Sequence, residues 1–177
     1  MGTSMLLGFL IAIVLGLYSG KNKNGVLDKI TSMFCYVGIS IPTFWFGIML
    51  IYLFSVHLHI LPSIGMHSDG NRSLGDLILH MVMPCAVLTF ANASQYIRYL
   101  RSSTITEMSS DYVMVQKAYG MKESGILFRH VLKNAMLPMI TVLGMSLQSL
   151  VSGAIITEQA FCMAGNRSAG SDRCYAV

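Results

Sequence analysis

Three long stretches of this chain carry no Asp, Glu, Lys or Arg: residues 30–68, 77–97 and 134–157. A fourth, 5–18, is equally apolar but shorter. A hydrocarbon layer is crossed by about 20 apolar residues in a helix. The pattern therefore predicts four membrane helices, at residues 3–20, 32–56, 74–100 and 134–157. Period-two alternation is missing and the runs are too long for barrel strands. The expected fold class is all-α, a polytopic transmembrane helical bundle. The first span is short, as though clipped at its start. Pro42, Pro84 and Pro138 lie within or at the edge of spans, where each removes a backbone hydrogen bond and kinks or starts a helix. Gly16 and Gly20 have the GxxxG spacing that allows close helix approach.

The polar connections orient these spans. Residues 21–29 hold three basic side chains, and residues 98–133 hold six: Arg98, Arg101, Lys117, Lys122, Arg129 and Lys133. The intervening loop, 57–73, holds only Arg72. Four spans put the two basic segments on one side, which the positive-inside rule makes cytoplasmic. Both chain ends then face outward, and the chain is expected to be a multi-pass membrane protein, with the lipid bilayer as its first partner.

Composition agrees with this and excludes other classes. Of 177 residues 54% are hydrophobic and 11% charged, against about 25% charged in globular chains. The net charge of +4 is not gathered into a basic run with aromatics, so no nucleic acid is expected as a partner. The four cysteines, Cys35, Cys85, Cys162 and Cys174, have no CxxC spacing, and neither disulfide framework nor metal site is expected. His57, His59 and His67 in the outer loop lack a fixed third ligand. No phosphate-binding G-x-x-x-x-G-K, HExxH or G-x-S-x-G motif occurs. The expectation is a protein that is not itself an enzyme and holds no cofactor.

Residues 102–133 are too long for a simple connection and too patterned for disorder. Ser109 or Ser110 can cap a helix whose first turn carries Asp111. Tyr112, Val115 and Tyr119 fall at i, i+3 and i+7 and are expected to form one apolar-aromatic stripe, with the small Ala118 beside it. Gly120 can end the helix in a left-handed conformation. A second amphipathic stretch, 122–133, leads into the fourth span with Ile126, Leu127 and Val131 on one side. Such an elbow can lie on lipid headgroups or present its stripe to a partner's groove. Two polar stripes, Asn92, Gln95 and Tyr99 on the third span and Thr141, Gln148 and Ser152 on the fourth, either line a solute path or bond between helices. Glu158, at the outer end of the fourth span, is read as an interface residue.

Asp111-Tyr112-Val113, Ala118, Gly120, Leu127-Phe128-Arg129-His130, Asn134-Ala135 and Leu137-Pro138 together resemble the cytoplasmic signature of ABC importer permeases. The nearest likeness is to the oligopeptide/dipeptide/nickel permease family. It extends upstream through Ile41-Pro42-Thr43-Phe44-Trp45-Phe46-Gly47, Leu61-Pro62 and Arg101-Ser102-Ser103, and downstream through Gly153-Ala154 and Thr157-Glu158 to Phe161. The resemblance implies a permease subunit that couples ATP hydrolysis on partner subunits to uptake of peptides or related solutes such as nickel. It implies as partners cytoplasmic ABC ATPase subunits, a homologous second permease subunit and an extracytoplasmic solute-binding protein. It makes Asp111, Tyr112, Val115, Ala118, Tyr119 and Gly120 the ATPase-docking coupling helix. Force is then expected to pass along residues 122–133 into the fourth span, with Arg129, His130 and Pro138 transmitting it. Asn92, Gln95, Gln148 and Ser152 become candidates for the translocation path.

The chain departs from the pattern where Met114 and Tyr119 stand in place of frequent basic residues, and after Phe161. Residues 1–161 are accordingly read as a partial permease domain and 162–177 as a divergent polar tail. A secondary transporter or channel fragment, and a membrane protein that recruits a partner without transporting, are the alternatives.

Overall fold

The computed structural model describes residues 1–62 and 74–152, the side chains of residues 74, 76, 77 and 147–152 excepted. Its regular elements are all helices, with no strand among the described residues. Helix α1 (Gly2–Lys21) is followed by α2 (Val26–Ser40) and α3 (Thr43–Leu50), which continues as a π-helix over Ile51–His57. Then come α4 (Leu74–Met108), α5 (Asp111–Ala118), and α6 (Glu123–Ile126). The last runs through a π-helical turn, Leu127–Val131, into α7 (Leu132–Ser152). Three helices are long and apolar enough to cross a membrane, four if the bent pair α2–α3 is one span.

The second predicted span, residues 32–56, is that bent pair, broken at Pro42 as its proline leads one to expect. It begins earlier, at Val26, and turns by 99° between Ser40 and Thr43. The cause is local: a proline's Cδ pushes the preceding residue out of the helical region, and Ile41 is extended at φ −86°, ψ 124°. Pro42 then stands at the N-cap of α3. Phe90 of α4 sits at the bend, its ring 4.8 Å from Phe34 of α2 and 4.9 Å from Phe46 of α3. Pro84 and Pro138 do not interrupt their helices, both lying inside continuous α4 and α7.

Helix α4 is central, touching α1, α2, α3 and α7. Lipid tails are as apolar as Leu, so helices in a bilayer associate by van der Waals fit. On α1 that fit comes from small residues one turn apart: Ser4, Gly8, Ala12, Gly16 and Gly20 are all buried, so the Gly16/Gly20 pair ends a longer ladder. Gly8 lies against Ala93, Gly16 against Leu100 and Gly20 against Thr104, so α1 and α4 run parallel. Helix α2 runs antiparallel to them, with Asp28 against Arg101 and Gly38 against Ser94 and Phe90. The core at this seam holds Leu17, Tyr96, Ile97, Leu100 and, from α7, Ala135 and Met139. Cys35 is buried in it, as expected of a thiol acting as a small hydrophobe.

Candidate functional site

The elbow begins later and ends sooner than the sequence pattern suggests. Residues 102–108 prolong α4 instead of opening a loop, and the chain is helical again from Glu123. At 1.5 Å per residue the 35-residue α4 is longer than the bilayer core, so its last turns carry the elbow clear of the apolar layer. Ser109 and Ser110 close it: their hydroxyls donate to the carbonyls of Thr106 at 2.8 Å and Glu107 at 2.5 Å. Ser110 does occupy the N-cap of α5, with extended backbone, but makes no side-chain cap bond to it. The orphan carbonyls of α4 have taken its hydroxyl.

Helix α5 carries Asp111 in its first turn and Lys117 in its last, both suited to the helix dipole. It ends as expected at Gly120, whose φ is +76°. The Gly120 N–H donates to Lys117 at 3.0 Å and the Met121 N–H to Gln116 at 3.2 Å, the paired bonds that reverse a chain at a helix end.

Inward, α5 is seated by Val113, which is buried, as are Ile126, Leu127 and Val131 of the following segment. The Tyr112 hydroxyl donates to the Glu107 carboxylate at 2.7 Å, and Asn134 Nδ2 donates to the same oxygen at 3.3 Å. Burial and, after it, the bond to Glu107 push the Tyr112 phenol above its ordinary value, so it acts as a neutral donor. Glu123 pairs with Lys117 at 3.3 Å and with Lys21 of α1 at 3.2 Å, and Phe128 meets Tyr18 edge-on. The first connection and the elbow thus share one end of the bundle, the pairing that the basic segments predict.

Outward, Met114, Val115 and Tyr119 are 70%, 53% and 84% exposed, and Ala118 and Asp111 are exposed beside them. The single stripe expected of Tyr112, Val115 and Tyr119 is therefore split. Position i+7 returns to the face of position i only while the helix continues. Helix α5 ends at Ala118, so Tyr119 swings out while Tyr112 turns in.

Arg129 is exposed and His130 half-buried on the π-helical turn, and neither makes a hydrogen bond or ion pair among the described residues. Pro138 faces outward from α7. Asn92 is half-buried against Gly8 and Gln95 is exposed. Neither makes the interhelical bond weighed for it, and Thr141 bonds its own helix at Leu137. The side chains of Gln148 and Ser152, and all of Glu158, His67, Cys162, Cys174 and the 162–177 tail, lie outside the described residues. Among those described, no three His, Cys, Asp or Glu side chains gather to hold a metal.

Two polar clusters escaped the sequence reading. Glu107 joins three helices through one oxygen. Asp28, buried, receives both Nε and Nη2 of Arg101, the Ser19 hydroxyl at 2.6 Å and the Asn24 backbone N–H at 2.9 Å. A signal existed for Asp28, which is the only acidic residue before Asp69 and stands where a helix enters an apolar run. Nothing local names its partner, 73 positions away.

The sequence profile of the family described as binding-protein-dependent transport system inner membrane component matches residues 12–169. The chain is 34% identical over 163 residues to the oligopeptide transport system permease protein AppB of Bacillus subtilis (strain 168), covering 92% of this chain and 52% of that protein. It is 33% identical over 182 residues to the probable D,D-dipeptide transport system permease protein DdpB of Escherichia coli (strain K12), covering 92% and 54%. With the dipeptide transport system permease protein DppB of Lactococcus lactis subsp. cremoris (strain MG1363) the identity is 30% over 162 residues, covering 92% and 50%. The chain spans about half the length of these curated relatives.

Proposed function

We propose, because this chain belongs to the family of binding-protein-dependent transport system inner membrane components, that it is a permease subunit of an ATP-driven importer in the bacterial cell membrane. Its solute class is peptides, the class carried in the names of its relatives. The partners are cytoplasmic ABC ATPase subunits, a second permease subunit and an extracytoplasmic solute-binding protein. ATP is hydrolysed on the partner and not here.

The observation that carries this reading is the outward face of α5. Met114 and Val115 stand exposed on a short helix, and Tyr119 just past its end, while the other face is anchored by Val113 and Tyr112. Apolar side chains on an anchored helix suit insertion into a partner's groove. The same end of the bundle bears the basic residues, which by the positive-inside rule supports a cytoplasmic position, the side on which the ATPase works. The face is centred on apolar side chains with Asp111 at its edge, so the centre of the complementary cleft is apolar too. In this reading Asp111, Ala118 and Gly120 complete the docking helix, and Arg129, His130 and Pro138 lie along the route into α7.

Co-purification of the ATPase in detergent tests the proposal. Removing an aromatic anchor from an interface costs about 2 kcal/mol, or roughly thirtyfold in affinity. Tyr119→Asp is expected to release the ATPase, while Phe128→Ala, on the other segment of the elbow, retains it. Undiminished retention by Tyr119→Asp combined with Met114→Asp would remove α5 as the docking element.

A further inference from the structure

We propose that Glu107 is the positioning residue that makes α4, and not α7 alone, follow the movement of the elbow. The inference rests on α5 being the docking element. It adds a second mechanical route to the covalent one through residues 122–133.

The covalent joints of α5 are soft. Before it stands Ser110 in an extended conformation, at φ −79° and ψ 153°. After it come Gly120 at φ +76° and Lys122 at φ −63° and ψ 136°. These joints are held by a few turn bonds in place of the repeating helical ladder, so they resist rotation less than a continuous helix does. A push on α5 would be absorbed as rotation at these joints before it reached a span.

Val113 seats α5 by burial and Lys117 ties it to Glu123, but one atom joins it to both α4 and α7. Glu107 Oε2, in the last turn of α4, accepts from Tyr112 of α5 at 2.7 Å and from Asn134 of α7 at 3.3 Å. A carboxylate is an acceptor only, so two neutral donors can share it without competition. Both the carboxylate and its donors are partly buried, which shields the bonds from water. Three helices that meet at a shared atom cannot rotate independently while both bonds hold.

From Glu107 the displacement has somewhere to go. Arg101, on the same helix, grips Asp28 of α2, and Asp28 accepts from Ser19 of α1. Helix α4 is continuous between the two carboxylate partners and serves as a rigid rod. Movement delivered at Glu107 therefore reaches α1 and α2, while Asn134 delivers it to α7.

Three variants separate this role from charge and from general stability. Glu107→Leu removes the acceptor. Glu107→Gln keeps an acceptor oxygen in place and removes only the charge. Tyr112→Phe cuts the α5 arm alone. In the importer reconstituted with its ATPase and second permease, Glu107→Leu and Tyr112→Phe are expected to retain the ATPase. Both are expected to lower solute moved per ATP hydrolysed by about tenfold, with Glu107→Gln within about twofold of the unaltered protein. Amide exchange over residues 111–118 of the chain in detergent gives a readout that needs no partner. It should quicken about tenfold in Glu107→Leu and stay unchanged in Glu107→Gln. Equal exchange in all variants, an unchanged transport ratio in Glu107→Leu, or a Gln variant as defective as Leu would each overturn the inference. Loss of the ATPase from the unaltered protein would instead overturn the docking role, and the exchange result would still decide the clasp.

Discussion

Alanine at Gly20 is expected to destabilise the bundle, whereas alanine at Gly144 is not. A Cβ built at Gly20 falls 2.6 Å from the Thr104 Cβ, 2.7 Å from its Cγ2 and 3.1 Å from the Arg101 carbonyl. None of these can retreat. Thr104 is fully buried, its β-branched side chain has few rotamers, and the carbonyl belongs to the backbone of α4. Overpacking of this kind costs about 1–3 kcal/mol, against a gain of at most about 1 kcal/mol in helix propensity. With the full propensity gain set against it, the net expectation for Gly20→Ala is a loss of up to roughly 2 kcal/mol. At Gly144 a Cβ would meet nothing within 4 Å, so only the propensity gain remains, up to about 1 kcal/mol. Thermal unfolding of both variants in one detergent measures the difference. Thr104→Gly should restore part of the loss in the double variant, with a coupling of at least about 0.5 kcal/mol. If Gly20→Ala proves as stable as Gly144→Ala, the parallel register of α1 on α4 is wrong.

Asp28→Asn leaves the Arg101 guanidinium facing a neutral partner and should cost about 1.5–3 kcal/mol in the same unfolding measurement. Arg101→Lys should be defective as well, because an ammonium cannot reproduce the two-pronged contact. Gly120→Ala has open space for its Cβ but a forced left-handed φ. A cost of about 1–2 kcal/mol, confined to the elbow, should appear as faster amide exchange around residues 117–121. Pro42→Ala frees Ile41 to enter the helical region, which should relax the 99° bend and shift the emission of Trp45, the only tryptophan. An unchanged Trp45 spectrum would mean that the packing of Phe34 and Phe46 on Phe90, and not the proline, sets the bend.

Much of this architecture follows from local chemistry and is legible in the residues themselves. Uninterrupted apolar runs specify helices because a backbone in hydrocarbon must satisfy its own hydrogen bonds. Gly120 ends α5 because the left-handed region is cheap for glycine. Ile126, Leu127 and Val131 share a buried face because helical spacing puts them there. The misreadings arose where a helix end had to be placed. Thr104 and Met108 read as the start of a loop, yet they pack in the bundle and prolong α4. Tyr119 read as the partner of Tyr112, until α5 stopped one residue short of it.

Local chemistry settles where the apolar helices run, that Pro42 and Gly120 break the chain's helices, and which connections lie at the same end. Packing of distant segments fixes the rest: Asp28 meets Arg101, Glu107 serves Tyr112 and Asn134 together, and the small face of α1 is pressed on α4. The reason is that secondary structure in lipid is set by torsions and bonds within a few residues. Which face of one helix meets another is not, because the surrounding lipid is as apolar as the helices and favours no face. Rotation and register are then left to shape and to a few buried polar pairs, and these depend on residues far apart in the chain.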